Sequence, residues 1–170
     1  MVRIAETAVT AGLLVAAVGV VGAVGAATRL DRLHVRTDAA WAALDAALYR
    51  RAVAAGALRG YPALRRAAHA AVLAGPSARE ELENELGRAL SVLDRGGLEP
   101  ACAGRLADAE QAVVIARRVY NDAVRDTLAL RSRRMVRWLR LAGTAPLPRY
   151  FEIVEPTPPA YGLELDGAGA

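Results

Sequence analysis

Lysine is absent from this chain, cysteine occurs once and histidine twice. The lone Cys102 excludes an intrachain disulfide and has no histidine motif beside it, so it reads as a packed thiol rather than a nucleophile. His34 and Asp38 stand one helical turn apart, which is half of a metal site. The other histidine, His69, completes no ligand cluster, and solvated helix side chains account for the pair. No glycine-rich phosphate loop, zinc signature or triad pattern occurs. The composition therefore predicts no catalytic residue, no metal and no cofactor, and gives an enzyme little support.

All 22 basic residues are arginine, and 39 of the 170 residues are alanine. Heavy Arg, Ala and Gly usage without lysine is what a GC-rich coding bias produces. The net charge of +4 is accordingly discounted, and a nucleic-acid partner is not expected.

Charge itself is missing from one stretch. Thr7 to Thr28 holds 22 residues with no ionisable side chain, between Glu6 and Arg29. A helix of that length spans roughly 33 Å, against about 30 Å for a bilayer's hydrocarbon core. Its eight Val and Leu residues favour insertion by roughly 2.4–5 kcal/mol, a margin that Gly12, Gly19, Gly22 and Gly25 reduce. The expectation is a retained transmembrane helix over 7–28 after a short stub at 1–6. The rivals are a signal peptide cleaved near Val24, Gly25 and Ala26, and a buried soluble helix; the run is longer than the usual secretory apolar region. Small residues at four-residue steps (Ala8, Gly12, Ala16; Gly19, Ala23, Ala27) would let two such helices approach closely. Arg29, Arg32 and Arg36 follow the run, whereas only Arg3 and the amino terminus precede it. That imbalance predicts a single-pass protein in the cell membrane with the bulk of the chain in the cytoplasm.

Beyond the anchor the pattern is helical throughout. Leu30, Leu33, Thr37, Ala40, Leu44 and Ala47 form a three-four stripe, with Trp41 and Leu48 beside it, on a first helix over about 29–57. A short helix from Pro62 to Ala74 carries Leu64, Ala68, Ala71 and Val72. Ser77 and Glu80 read as a capping box for a third helix lined by Leu82, Leu86, Ala89 and Leu93 and ended by Gly96-Gly97. Pro100 suits a first helical turn. Cys102, Leu106, Ala109, Val113, Ala116, Tyr120, Ala123, Thr127 and Leu130 then repeat in coiled-coil fashion along a helix over 100–141, about 60 Å long. The fold class is all-α: a transmembrane helix followed by an antiparallel bundle of three long helices and one short one over 29–142. Residues 143–170 read as a Pro-rich, partly disordered tail.

Three motifs carry a family resemblance. Arg32 to Arg51, RLHVRTDAAWAALDAALYRR, contains Trp41, Asp45 and the basic pair Arg50-Arg51. Glu83 to Leu90, ENELGRAL, includes Asn84. Ala116 to Asp126, ARRVYNDAVRD, centres on Tyr120, Asn121 and Asp122, with Arg125 close behind. Together with the Pro-containing approach to Tyr150-Phe151-Glu152, these resemble the LemA family of small bacterial membrane-anchored helical proteins. The stretch Ala52 to Leu58 departs from the polar, proline-containing one usual there. The resemblance implies an anchor, a cytoplasmic antiparallel bundle, no known catalytic activity, and a scaffolding or interaction role at membranes. A protein partner or a second copy of the chain would be its binding partner, besides the lipid bilayer.

Two polar features stand out. Asn121, one position past the core stripe, reads as an inter-helix hydrogen-bond node facing Trp41 or Asp45, or as part of a partner-binding patch. Arg131, Arg133, Arg134, Arg137 and Arg140 interleave with Met135, Val136, Trp138, Leu139 and Leu141. If the helices alternate direction, this basic end returns to the membrane and can lie on anionic headgroups. An ordinary solvated helix end, where cations suit the dipole, is the competing account. The functional expectation is a membrane-anchored scaffold or interaction module, with a basic helical module for anionic lipid or nucleic acid as the alternative.

Overall fold

The structure, a computed structural model, describes the backbone of residues 2–138 and 146–154, and their side chains except at 2–11, 15 and 135. Five helices account for most of it: α1 (Val2–Gly56), α2 (Pro62–Val72), α3 (Arg79–Ser91), α4 (Pro100–Arg131) and α5 (Arg134–Trp138). No strand occurs among the described residues. Two compact units divide the chain, residues 1–47 with 111–151 and residues 48–110 with 152–170. The unit boundaries fall inside α1 and α4, the two longest helices.

In the first unit α1 is unbroken through the uncharged run. From Leu13 to Val24 its described side chains are exposed on nearly every face, Leu13 at 66% and Val21 at 72%. It is the one helix among the described residues long and apolar enough to cross a membrane. Burial begins at Leu30 and follows the expected stripe through Thr37, Ala40, Leu44 and Ala47. On α4 the matching stripe is Val113, Tyr120, Ala123, Val124, Thr127 and Leu130. Leu30 clusters with Leu130, the hydroxyls of Thr37 and Thr127 lie 3.1 Å apart, and Trp41 packs against Tyr120 with the rings tilted at 59°. Numbering thus rises on one helix as it falls on the other.

The expected helix over 100–141 is shorter. It stops at Arg131, where the Ser132 hydroxyl donates to the Ala129 carbonyl (2.8 Å) and the Arg133 N–H to that of Leu130 (3.2 Å). Such local bonds tighten the last turn and compete with helix continuation. The chain then re-enters a single turn, α5, which brings Val136 onto Leu30 and Leu130. Residues 139–145, including Arg140, Leu139 and Leu141, lie outside the described residues.

In the second unit Ala52, Ala55 and Leu58 pack with Leu64, Ala68 and Ala71 of α2, Leu86 and Leu90 of α3, and Leu106 of α4. The turn from α1 to α2 requires Gly60, whose φ of +89° is left-handed and costs a side-chain-bearing residue free energy. The anticipated capping box at Ser77 and Glu80 does not form. Helix α3 begins at Arg79 after an N-cap Ala78 that makes no side-chain bond. Glu80 Oε1 accepts the Glu152 N–H instead, at 3.1 Å. The buried stripe of α3 is also one residue out of the expected register: Glu83, Leu86, Gly87 and Leu90 face inward, whereas Leu82, Ala89 and Leu93 are half-buried.

Candidate functional site

That shift of register has an electrostatic cause. Arg51 and Glu83, with side chains 2% and 1% exposed, form an ion pair at 2.6 Å. The same guanidinium donates to the Glu83 carbonyl at 3.4 Å, and Arg79 Nε lies 3.5 Å from the other carboxylate oxygen. A buried charge persists only when paired, so α3 turns Glu83, not Leu82, toward α1. Arg50, its neighbour in the basic pair, is exposed.

Residues 152–154 are held on α3 by two acceptors one turn apart. Glu80 Oε1 takes the Glu152 N–H and Asn84 Oδ1 takes the Val154 N–H at 2.8 Å. Ile153, between them, is buried.

In the first unit residues 146–151, which form neither helix nor strand, run along α4. Arg131 Nη1 donates to the Pro146 carbonyl at 3.0 Å, and the Tyr120 hydroxyl to the Arg149 carbonyl at 2.8 Å. The Asn121 side-chain amide closes a two-bond ring with Phe151: the Phe151 N–H donates to Oδ1 at 2.9 Å, and Nδ2 donates to the Phe151 carbonyl at 3.2 Å. Asn121 is therefore a clamp on the Phe151 main chain, not a node facing Trp41 or Asp45. Its amide has one donor edge and one acceptor edge, which match the carbonyl and N–H of a single residue. Phe151 is buried, and the half-exposed Trp41 meets Tyr120 at 5.3 Å and Phe151 at 5.7 Å between ring centres. Residues 149–154, within the tail expected to be partly disordered, are thus fixed by side chains of α3 and α4; residues 155–170 lie outside the described residues.

Of the remaining motif residues, Asp45 is exposed, and Asp122 pairs with Arg125 along the helix at 3.0 Å, both well solvated. Solvated pairs of this kind contribute about 0–1 kcal/mol. Cys102 is half-buried and accepts from Arg105 at 3.2 Å. An open groove of about 440 Å³ is lined by His34, Thr37, Asp38, Trp41, Tyr120 and Pro146 to Pro148. His34 and Asp38 supply two metal-ligand side chains to it, and no group of three His, Cys, Asp or Glu residues assembles among the described residues.

The arginine-rich end has the most distinctive placement. Val136 and Leu130 pack on Leu30, with Ala26 and Leu33 against the same cluster. Ala26 belongs to the last turn of the uncharged run. Arg133, Arg134 and Arg137 are exposed around this cluster, Arg131 is half-buried, and Trp138 is 85% exposed. Arg29 and Arg32 are exposed on α1 beside the cluster, and Arg36, exposed further along, pairs with Asp126 at 2.9 Å. No family profile, curated protein or solved structure matches the chain.

Proposed function

We propose that this is a single-pass membrane protein, LemA-like in its motifs, whose α1 crosses the bilayer of a bacterial cell and carries an antiparallel helical bundle on the cytoplasmic face. Its role is to present that helical surface to a protein partner or a second copy of the chain; it performs no catalysis. The observation that carries this reading is the uncovered apolar helix of residues 12–24, continuous with a packed helix below it. A core helix would be covered, and in water such an exposed apolar surface is an aggregation hazard. Against cleavage stands Ala26, which packs on the Leu30 cluster inside an unbroken helix where a peptidase site would have to lie. The opposed numbering of the α1 and α4 contacts supports the antiparallel arrangement, and the positive charge of Arg29, Arg32 and Arg36 supports the sidedness.

Alkaline extraction of membranes from cells expressing the full chain, with mass spectrometry of its first peptide, tests the anchor. The chain is expected in the membrane pellet with residues 1–28 attached; recovery in the soluble fraction, or a start near residue 27, overturns it. Labelling Cys102 with an impermeant thiol reagent, before and after the membrane is opened and the chain denatured, tests the sidedness. Labelling of denatured chain before opening overturns a cytoplasmic bundle.

A further inference from the structure

We infer that the turn from Arg131 to Trp138, with Arg29 and Arg32 of α1, forms a collar that binds the headgroups of anionic phospholipids around the anchor. The inference rests on the membrane reading above and adds to it a lipid class and a site.

Depth is the first argument. Val136 and Leu130 share a cluster with Ala26 and Leu30, so α5 lies level with the end of the uncharged run. Residue 28 is its last member, and Leu30 follows within about 3 Å along the helix axis. A side chain held at that level is at headgroup depth when the run fills the hydrocarbon.

Charge is the second. Residues 130–138 hold four arginines and no acidic residue, and Asp31 is the single acid between 26 and 36. Arg133, Arg134, Arg137, Arg29 and Arg32 are exposed. Guanidinium groups bind phosphate oxygens in paired hydrogen bonds. Each basic residue near an anionic leaflet strengthens association about fivefold.

Trp138 is the third. An indole 85% exposed beside a membrane-length helix has the amphipathic shape that places tryptophan at the interface of spanning proteins. Ordinary solvation of a helix end explains the arginines, but it gives no reason for an uncovered indole beside them.

The full chain is reconstituted in phosphatidylcholine vesicles containing either brominated phosphatidylglycerol or brominated phosphatidylcholine at equal bromine. Trp138 quenching is read as the difference between the native chain and W138F, which leaves Trp41 as the common background. Phosphatidylglycerol is expected to be preferred over phosphatidylcholine on the order of fivefold, about one arginine contact per exchanged headgroup. The variant R133Q/R134Q/R137Q, exposed and so expected to fold as the native chain does, loses that preference while still floating with the vesicles. Equal quenching by the two lipids, or an unchanged preference in the triple variant, overturns the collar while leaving the anchor intact. Failure of the native chain to float with phosphatidylcholine alone overturns the anchor, and the collar with it. If duplex DNA at equal phosphate abolishes the preference, the surface belongs to nucleic acid and the lipid assignment fails.

Discussion

Breaking the Arg51–Glu83 pair from one side is expected to destabilise the protein more than removing both charges. At 2.6 Å and an effective dielectric near 20, the two charges attract by about 6 kcal/mol. Desolvating each ion costs several kcal/mol, so the pair's net contribution is close to zero. Losing one partner leaves the other buried without compensation, at about 3–5 kcal/mol. The geometry orders the two single variants. After R51M, Glu83 keeps Arg79 at 3.5 Å and the cost falls near the lower end of that range, about 3 kcal/mol. After E83L, Arg51 keeps only the Glu83 main-chain carbonyl at 3.4 Å, and the cost approaches the upper end, about 5 kcal/mol. The double variant R51M/E83L replaces both ions with apolar side chains of related volume and costs less than either single change. Urea unfolding of the full chain in mild detergent, followed by helical circular dichroism, measures all four corners of the cycle. Additive losses in the double variant, or a single loss below about 1 kcal/mol, the scale of exposed pairs, would refute the reasoning.

N121A removes both bonds to Phe151 and Y120F removes the bond to Arg149; each is expected to release residues 149–151. Tryptic cleavage after Arg149 in the native chain should then rise about tenfold for every 1.4 kcal/mol lost, and unchanged cleavage would remove the clamp. Thr37 and Thr127 are both buried and share a hydroxyl contact; T127V should cost about 1 kcal/mol, and T37V/T127V no more than that, because each hydroxyl loses its polar partner together with its own polarity. Both would be read from urea midpoints. L86A, at a fully buried position of the α2–α3 core, is expected to cost about 2–5 kcal/mol. R36A, whose ion pair with Asp126 is roughly half solvated, should leave the midpoint within about 1 kcal/mol.

Where the helices form was legible because their signals are local. The uncharged run, the three-four stripes of α1 and α4, and the helix starts at Pro62 and Pro100 act within a turn or two of themselves. Burial of Leu30, Leu44, Leu106 and Leu130 follows from periodicity alone. Glu83 was not legible as a core residue, since a carboxylate among three neighbouring glutamates reads as a solvated helix start. Its burial depends on Arg51, 32 residues away. The Asn121 clamp escaped for the same reason. An asparagine beside a seam announces a hydrogen bond but not its partner, and the partner is main chain, which has no sequence signature.

Hydropathy and periodicity by themselves determined a membrane-length helix, the helical class and most inward faces, because each depends on residues adjacent along one helix. Only tertiary packing decided that Glu83 turns inward, that residues 149–154 are fixed on α3 and α4, and that the arginine-rich turn lies level with Ala26. Those outcomes depend on which partner is within reach to satisfy a charge, an amide or an apolar side chain. Reach is a property of the folded chain.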